Sequence, residues 1–105
     1  MANNETAFGY LLPTREVVMA PGDPDFGSMI GLAETAEGHA FDSVWCGDSI
    51  LARPRLEALS TLSAIAGRTT QVKLGTAVFL PALRNPVVLA KDRKSTRLNS
   101  SHVLI

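Results

Sequence analysis

The chain has 105 residues, enough for one small domain and too few for two. Hydrophobic residues make up 46% and charged residues 19%, the balance of a folded chain rather than a disordered one. Ten basic side chains match ten acidic ones, which argues against an electrostatic hold on nucleic acid or on an acidic membrane.

The lone cysteine, Cys46, rules out an internal disulfide and suits a reducing compartment. The start, Met1-Ala2-Asn3-Asn4-Glu5, lacks the basic-then-apolar pattern of a signal peptide. No apolar run reaches the ~20 residues a membrane helix needs. The expectation is a soluble, cytoplasmic protein.

Ala7 to Leu12 is a short apolar run closed by Pro13, which suits a strand buried on both faces in a parallel sheet. Thr14 to Pro24 carries Pro21, Gly22 and Pro24 and reads as a loop. Asp25 is placed to cap a helix. Phe26, Met29, Ile30, Ala33 and Ala36 then form one apolar stripe, with Glu34 and Glu37 off it and Gly38 as a stop.

Phe41 to Cys46 is a second short strand, ending at Gly47-Asp48-Ser49. Pro54 suits the first turn of a second helix, where its missing N–H costs nothing. That helix has Leu56, Leu59, Leu62, Ile65 and Ala66 on its apolar face and Gly67 at its end. Val72 to Leu80 is a third strand, stopped by Pro81. Asn85-Pro86 reads as an N-cap and first-turn proline, and Val87 to Ala90 begin a third helix.

Strand–helix alternation of this kind implies an α/β fold with a parallel sheet, helices outside it and right-handed crossovers. Strand starts near residues 7, 41 and 72 are spaced like successive βα units.

The segment Asp92 to His102, DRKSTRLNSSH, is polar, lacks helical periodicity and is expected to end the third helix abruptly. All eleven of its residues match one reading frame of a common sequencing adapter. Residues 92–105 are therefore read as a non-native tail, and His102 and the basic cluster Arg93, Lys94 and Arg97 carry no functional weight.

Three stretches, FDSVWCGDS (Phe41–Ser49), RPRLEALSTLSAIAGRT (Arg53–Thr69) and VKLGTAVFLPALRNPVVLAK (Val72–Lys91), together resemble the luciferase-like monooxygenase family. The resemblance implies that residues 1–91 are the N-terminal βαβαβ portion of a truncated (β/α)8 TIM barrel, a fold that needs about 250 residues. It implies FMN or a deazaflavin of the coenzyme F420 type as cofactor and a small organic molecule as substrate. The reaction would be monooxygenation or hydride transfer. It leaves open whether the whole protein is a homo-oligomer.

In such barrels functional groups gather at the carboxyl ends of the strands. Asp48 is the only ionisable residue directly at one of the three ends. Its carboxylate can accept hydrogen bonds from a cofactor, or it can cap the following loop. Histidine often follows this aspartate in deazaflavin-using relatives; Ser49 follows it here. Gly75-Thr76-Ala77-Val78 is the second candidate, where the resemblance implies a cis peptide between Ala77 and Val78 behind the flavin ring. On its residues alone the segment also reads as a buried strand with a glycine bulge.

Other residues rank lower. Trp45 and Cys46 read as core, and Cys46 lacks an evident basic partner for nucleophilic chemistry. His39 reads as a surface cap. Arg53 and Arg55 flank a proline; they can meet an anionic group but read first as solvated surface. Arg84-Asn85-Pro86 is a helix start with a weak capacity for an anion. No catalytic residue is singled out.

Competing readings fare worse. A metal-dependent hydrolase would want clustered histidines, and the chain has two, one of them in the tail. A dinucleotide-binding fold would want G-x-G-x-x-G after the first strand, which is missing. A third reading is that this polypeptide alone has neither activity nor a stable fold, because three barrel strands leave edges and apolar faces open.

Overall fold

The computed structural model describes residues 6–51 and 54–99, with side chains through Ser95. Arg53 and His102 lie outside the described residues. The elements are β1 (Gly9–Leu11), α1 (Thr14–Met19), α2 (Phe26–Gly38), β2 (Ser43–Cys46), α3 (Ala58–Ala66), β3 (Lys73–Thr76), a 3-10 turn (Pro81–Leu83) and α4 (Pro86–Asn99). All three strands are parallel, with β2 between β1 and β3. The register places Leu11, Trp45 and Gly75 in one row and Tyr10, Val44 and Leu74 in the row before it.

The core lies between the sheet and the helices. Leu12, Ala33, Val44, Cys46, Leu62, Ile65 and Leu74 are buried there. Leu62 is completely enclosed. Truncating such a leucine to alanine costs about 2–5 kcal/mol, because the cavity it leaves refills only in part.

Sequence patterning located the elements but not all their ends. The segment expected as a loop from Thr14 begins with α1: nothing in Thr14-Arg15-Glu16-Val17-Val18-Met19 breaks a helix, and the turn ends before Pro21. Thr14 itself is fully buried. Gly22, with φ of 84°, supplies the one left-handed glycine of the following loop.

Asp25 caps α2 as expected, accepting from Ser28 N at 3.0 Å and Ser28 Oγ at 2.6 Å. Gly38 is the last residue of α2, as expected, but it does not make the turn: Ala40 takes the left-handed position with φ of 62°. Phe41 N then reaches Ala36 O at 3.0 Å and Ala40 N reaches Glu37 O at 3.1 Å, the paired bonds of a Schellman closure. His39 acts as a local cap, with Nδ1 2.8 Å from Thr35 O.

Pro54 does not start α3. Glu57 does, accepting from Ser60 N at 2.6 Å through Oε2. The third strand is shorter than Val72–Leu80: pairing stops at Thr76, and the Ala77–Val78 peptide bond is cis. Asn85 caps α4 through Oδ1, accepting from Val87 N at 2.9 Å and Val88 N at 3.2 Å.

The helix does not end near Lys91 but continues to Asn99, since no proline or glycine interrupts residues 91–99. Among the described residues, no helix is long and apolar enough to cross a membrane.

Candidate functional site

Side chains alternate across a strand, so burial of Val44 and Cys46 against the helices turns Ser43 and Trp45 to the helix-free face. Trp45 is half-buried, and its indole N–H donates to Ser43 Oγ at 2.8 Å. Gly9 makes room for it: a Cβ there would lie 2.7 Å from both Ser43 Oγ and Trp45 Nε1. Leu11 and Gly75 flank Trp45 in register. In a barrel this is the face that lines the lumen. Leu11, at 57% exposure, has no cover there.

Gly75 and Thr76 end β3, with Thr76 opposite Cys46. Ala77 N donates to Cys46 O at 2.8 Å, which ties the chain to β2 immediately before the cis bond. Beyond that bond Val78 stands 75% exposed. Gly75 thus ends β3 in the row of Trp45 on the helix-free face, Thr76 pairs with Cys46 on the helix side, and Ala77 and Val78 follow, exposed, at the carboxyl end of the strand.

Asp48 leaves the carboxyl end of β2 and is spoken for on both oxygens. Oδ2 accepts from Leu80 N at 2.8 Å and from Arg84 Nη1 at 2.7 Å, and Oδ1 accepts from Arg84 Nη2 at 2.8 Å. Its side chain is only 2% exposed. The hydrogen bonds from Arg84 outweigh burial and hold the carboxyl below the usual carboxylate range. Arg84 also bonds Glu57 Oε1 at 3.1 Å and lies over the Phe79 ring, 4.6 Å from its centroid. Burial alone would raise the Glu57 carboxyl. Hydrogen bonds from Ser60 and Arg84 overcome that and leave it lowered.

Arg55 is not solvated surface. Its guanidinium lies against Gly47, where an added Cβ would collide with Nη1. Nη1 donates to Thr14 Oγ1 at 3.3 Å, and Leu56 N bonds Thr14 O at 3.3 Å, so this loop is stitched to the first residue of α1. Cys46 stays in the core: burial pushes its thiol up to about 12, which removes it as a nucleophile at neutral pH.

The fold therefore gathers Asp48 and Gly75–Val78 at one end of the sheet. The residues sequence reading ranked too low are Arg84, Glu57 and Arg55. The available signal was chemical and partial: Arg55 and Glu57 follow the only strand-end carboxylate in the same strand-to-helix connection, whereas Arg84 stands 36 residues on. An apolar groove of about 220 Å³ (Phe26, Met29, Leu56, Ala64) between α2 and α3 reaches Glu57, and one of about 260 Å³ (Tyr10, Leu32, Ala36, Phe41) lies elsewhere. Among the described residues no cluster of histidine, cysteine or carboxylate side chains could hold a metal.

The family model for luciferase-like monooxygenases matches residues 6–93. A 5,10-methylenetetrahydromethanopterin reductase from Methanolobus tindarius is 35% identical over 76 residues, covering 72% of this chain and 22% of that protein. An F420-dependent glucose-6-phosphate dehydrogenase from Kineococcus radiotolerans is 37% identical over 71 residues, covering 62% of this chain and 21% of that protein.

Among solved structures, the monooxygenase RslO1 from Streptomyces bottropensis superposes with a TM-score of 0.78 at 24% identity, covering 95% of this chain and 32% of that one. An F420-dependent secondary alcohol dehydrogenase, solved with an F420–acetone adduct, gives 0.76 at 22% identity, covering 96% and 31%. The chain thus spans about a fifth of the curated relatives it matches, and its three parallel strands are part of a (β/α)8 barrel fold. It belongs to the luciferase-like monooxygenase family.

Proposed function

We propose that the full-length protein is an oxidoreductase that binds a flavin or deazaflavin at the carboxyl ends of β1–β3 and acts on a small organic substrate. The observation that carries this reading is the carboxyl end of β3, where Gly75, without a side chain, stands in register with Trp45 and is followed by exposed Ala77 and Val78. A flat tricyclic ring fits such a surface, with Trp45 and Leu11 on the same face. Relatives named for F420 favour the deazaflavin over FMN. The cofactor would supply hydride transfer or oxygen activation; the protein would orient it and keep water out.

Asp48 would border the ring. Arg84 and Leu80 N hold its carboxylate in place, which leaves one lone pair, on Oδ1, to accept from the cofactor. A cytoplasmic setting fits the single buried thiol of Cys46.

The test is titration of the full-length protein with FMN and with the deazaflavin, followed by fluorescence quenching. One of the two should bind in the micromolar range, and Gly75→Val should weaken it at least tenfold. Failure of both cofactors to bind would overturn the reading.

The 105-residue polypeptide on its own is a separate matter. Leu11, Leu51, Val78 and Val87 are more than half exposed and both sheet edges are open, so we propose that it lacks a cooperative fold and flavin binding of its own. A cooperative melt of residues 1–91 with micromolar flavin binding would contradict this. We also propose that residues 92–105 are foreign to the gene, on the strength of the adapter match. The genomic DNA beyond codon 91 decides that directly.

A further inference from the structure

Arg55 is an arginine held in a built seat without a carboxylate of its own. Gly47 provides the seat, since any side chain there would strike the guanidinium. Thr14, fully buried, provides the tether at 3.3 Å, a long bond to a neutral hydroxyl. Among the described residues this is the only hydrogen bond that Arg55 makes, and its Nε–H is buried with no acceptor.

The two neighbouring carboxylates make no hydrogen bond to it, although Asp48 lies near enough to feel its charge. Asp48 and Glu57 both bond Arg84 instead. A guanidinium offers five donors in a planar fork that matches a carboxylate or phosphate, so most of its bonding capacity is unspent. Its place, against the residue that follows β2, is the face on which (β/α)8 barrels bind their ligands.

We propose that Arg55, seated on Gly47 and tethered by Thr14, takes the oxyanion, carboxylate or phosphate, of a small molecule bound at this mouth. The inference rests on the strand ends being the binding face and not on which flavin occupies it.

The experiment uses the full-length protein labelled with ¹⁵N-arginine, in which the Arg55 Nε–H resonance is identified by its loss in R55K. Inorganic phosphate and acetate are the probes. One of them should shift that resonance saturably. By calorimetry R55K should bind the same anion at least tenfold more weakly, with a thermal midpoint close to wild type. G47A keeps the arginine but fills its seat, and should weaken binding similarly, which covers the case in which R55K does not fold.

A shift with FMN but not with riboflavin assigns the oxyanion to a cofactor phosphate. An anion shift that persists on FMN-saturated protein assigns it to the substrate. No saturable shift with either anion, or wild-type anion affinity in the variants, overturns the proposal. Flavin quenching on the same samples separates the two readings: flavin bound without any anion effect sinks this inference alone, and anion bound without flavin sinks only the cofactor assignment.

Discussion

Arg84 grips Asp48 with both prongs of its guanidinium, Nη1 on Oδ2 at 2.7 Å and Nη2 on Oδ1 at 2.8 Å, and so joins the exit of the second strand to the segment after the third. The geometry is the paired, planar one that suits arginine and not lysine. The two side chains are 12% and 2% exposed, so solvent screens the pair little. Removing the cation leaves Asp48 charged and enclosed. Arg84→Met should cost about 3–5 kcal/mol in urea unfolding of the full-length protein. Arg84→Lys should recover part of that. A loss in Arg84→Met no larger than the ~1 kcal/mol of a surface pair would refute this account.

The same pair sets an acid limit. The Asp48 carboxyl is held below its ordinary value, so the unfolded chain takes up a proton at a higher pH than the folded one. Its contribution is complete above the unfolded value near ~3.9 and fades as pH falls through the lower folded value. Stability measured from pH 6 down to pH 2 should fall below about pH 4, and Asp48→Asn should flatten that fall. An unchanged acid profile in Asp48→Asn would show that other carboxylates carry it.

Glu37 pins the entry to β3. Its Oε2 accepts from Thr70 N, Gln71 N and Val72 N at 2.9, 2.7 and 2.9 Å, three consecutive amides on one oxygen. Glu37→Ala strips those amides of their acceptor and should cost about 1–3 kcal/mol. Amide hydrogen exchange at Thr70–Val72 should accelerate with it. Unchanged protection there would mean that water replaces the carboxylate without loss.

Cys46 imposes the opposite limit. Burial raises its thiol to about 12, while an unfolded cysteine releases its proton near ~8.5. Stability is complete below the unfolded value and declines as pH climbs toward the folded one, by at most about 1.4 kcal/mol per pH unit from this group. Cys46→Ala should show a shallower alkaline decline than wild type, despite a lower stability at pH 7 from the lost packing. Native protein should also resist thiol reagents at pH 8. Rapid labelling there would contradict the burial.

Ala40 occupies the left-handed position that closes α2, with φ of 62°. A Cβ in that conformation costs roughly 1 kcal/mol or more, and part of the relief from Ala40→Gly is spent on the added freedom of the unfolded chain. The substitution should raise stability by about 0.5–1 kcal/mol, read as a higher thermal midpoint. A lower midpoint would mean that the alanine methyl group contributes packing that outweighs its strain.

Sequence by itself determined the order of the three strands and of helices α2, α3 and α4, the parallel α/β class, the caps at Asp25 and Asn85, and the two strand-end segments proposed as the candidate site. Those features depend on hydrophobic period, on breakers, and on side chains that bond amides two or three residues away. Tertiary structure alone decided that Ala40 rather than Gly38 makes the left-handed turn after α2, that Glu37 reaches from the last turn of its helix to hold three amides, and that Arg55 lies on Gly47.

It alone also decided that Asp48 answers to Arg84, 36 residues away. The physical reason is that such pairs form only once the register of β1, β2 and β3 has set which strand ends stand side by side. No local pattern in the chain encodes that distance.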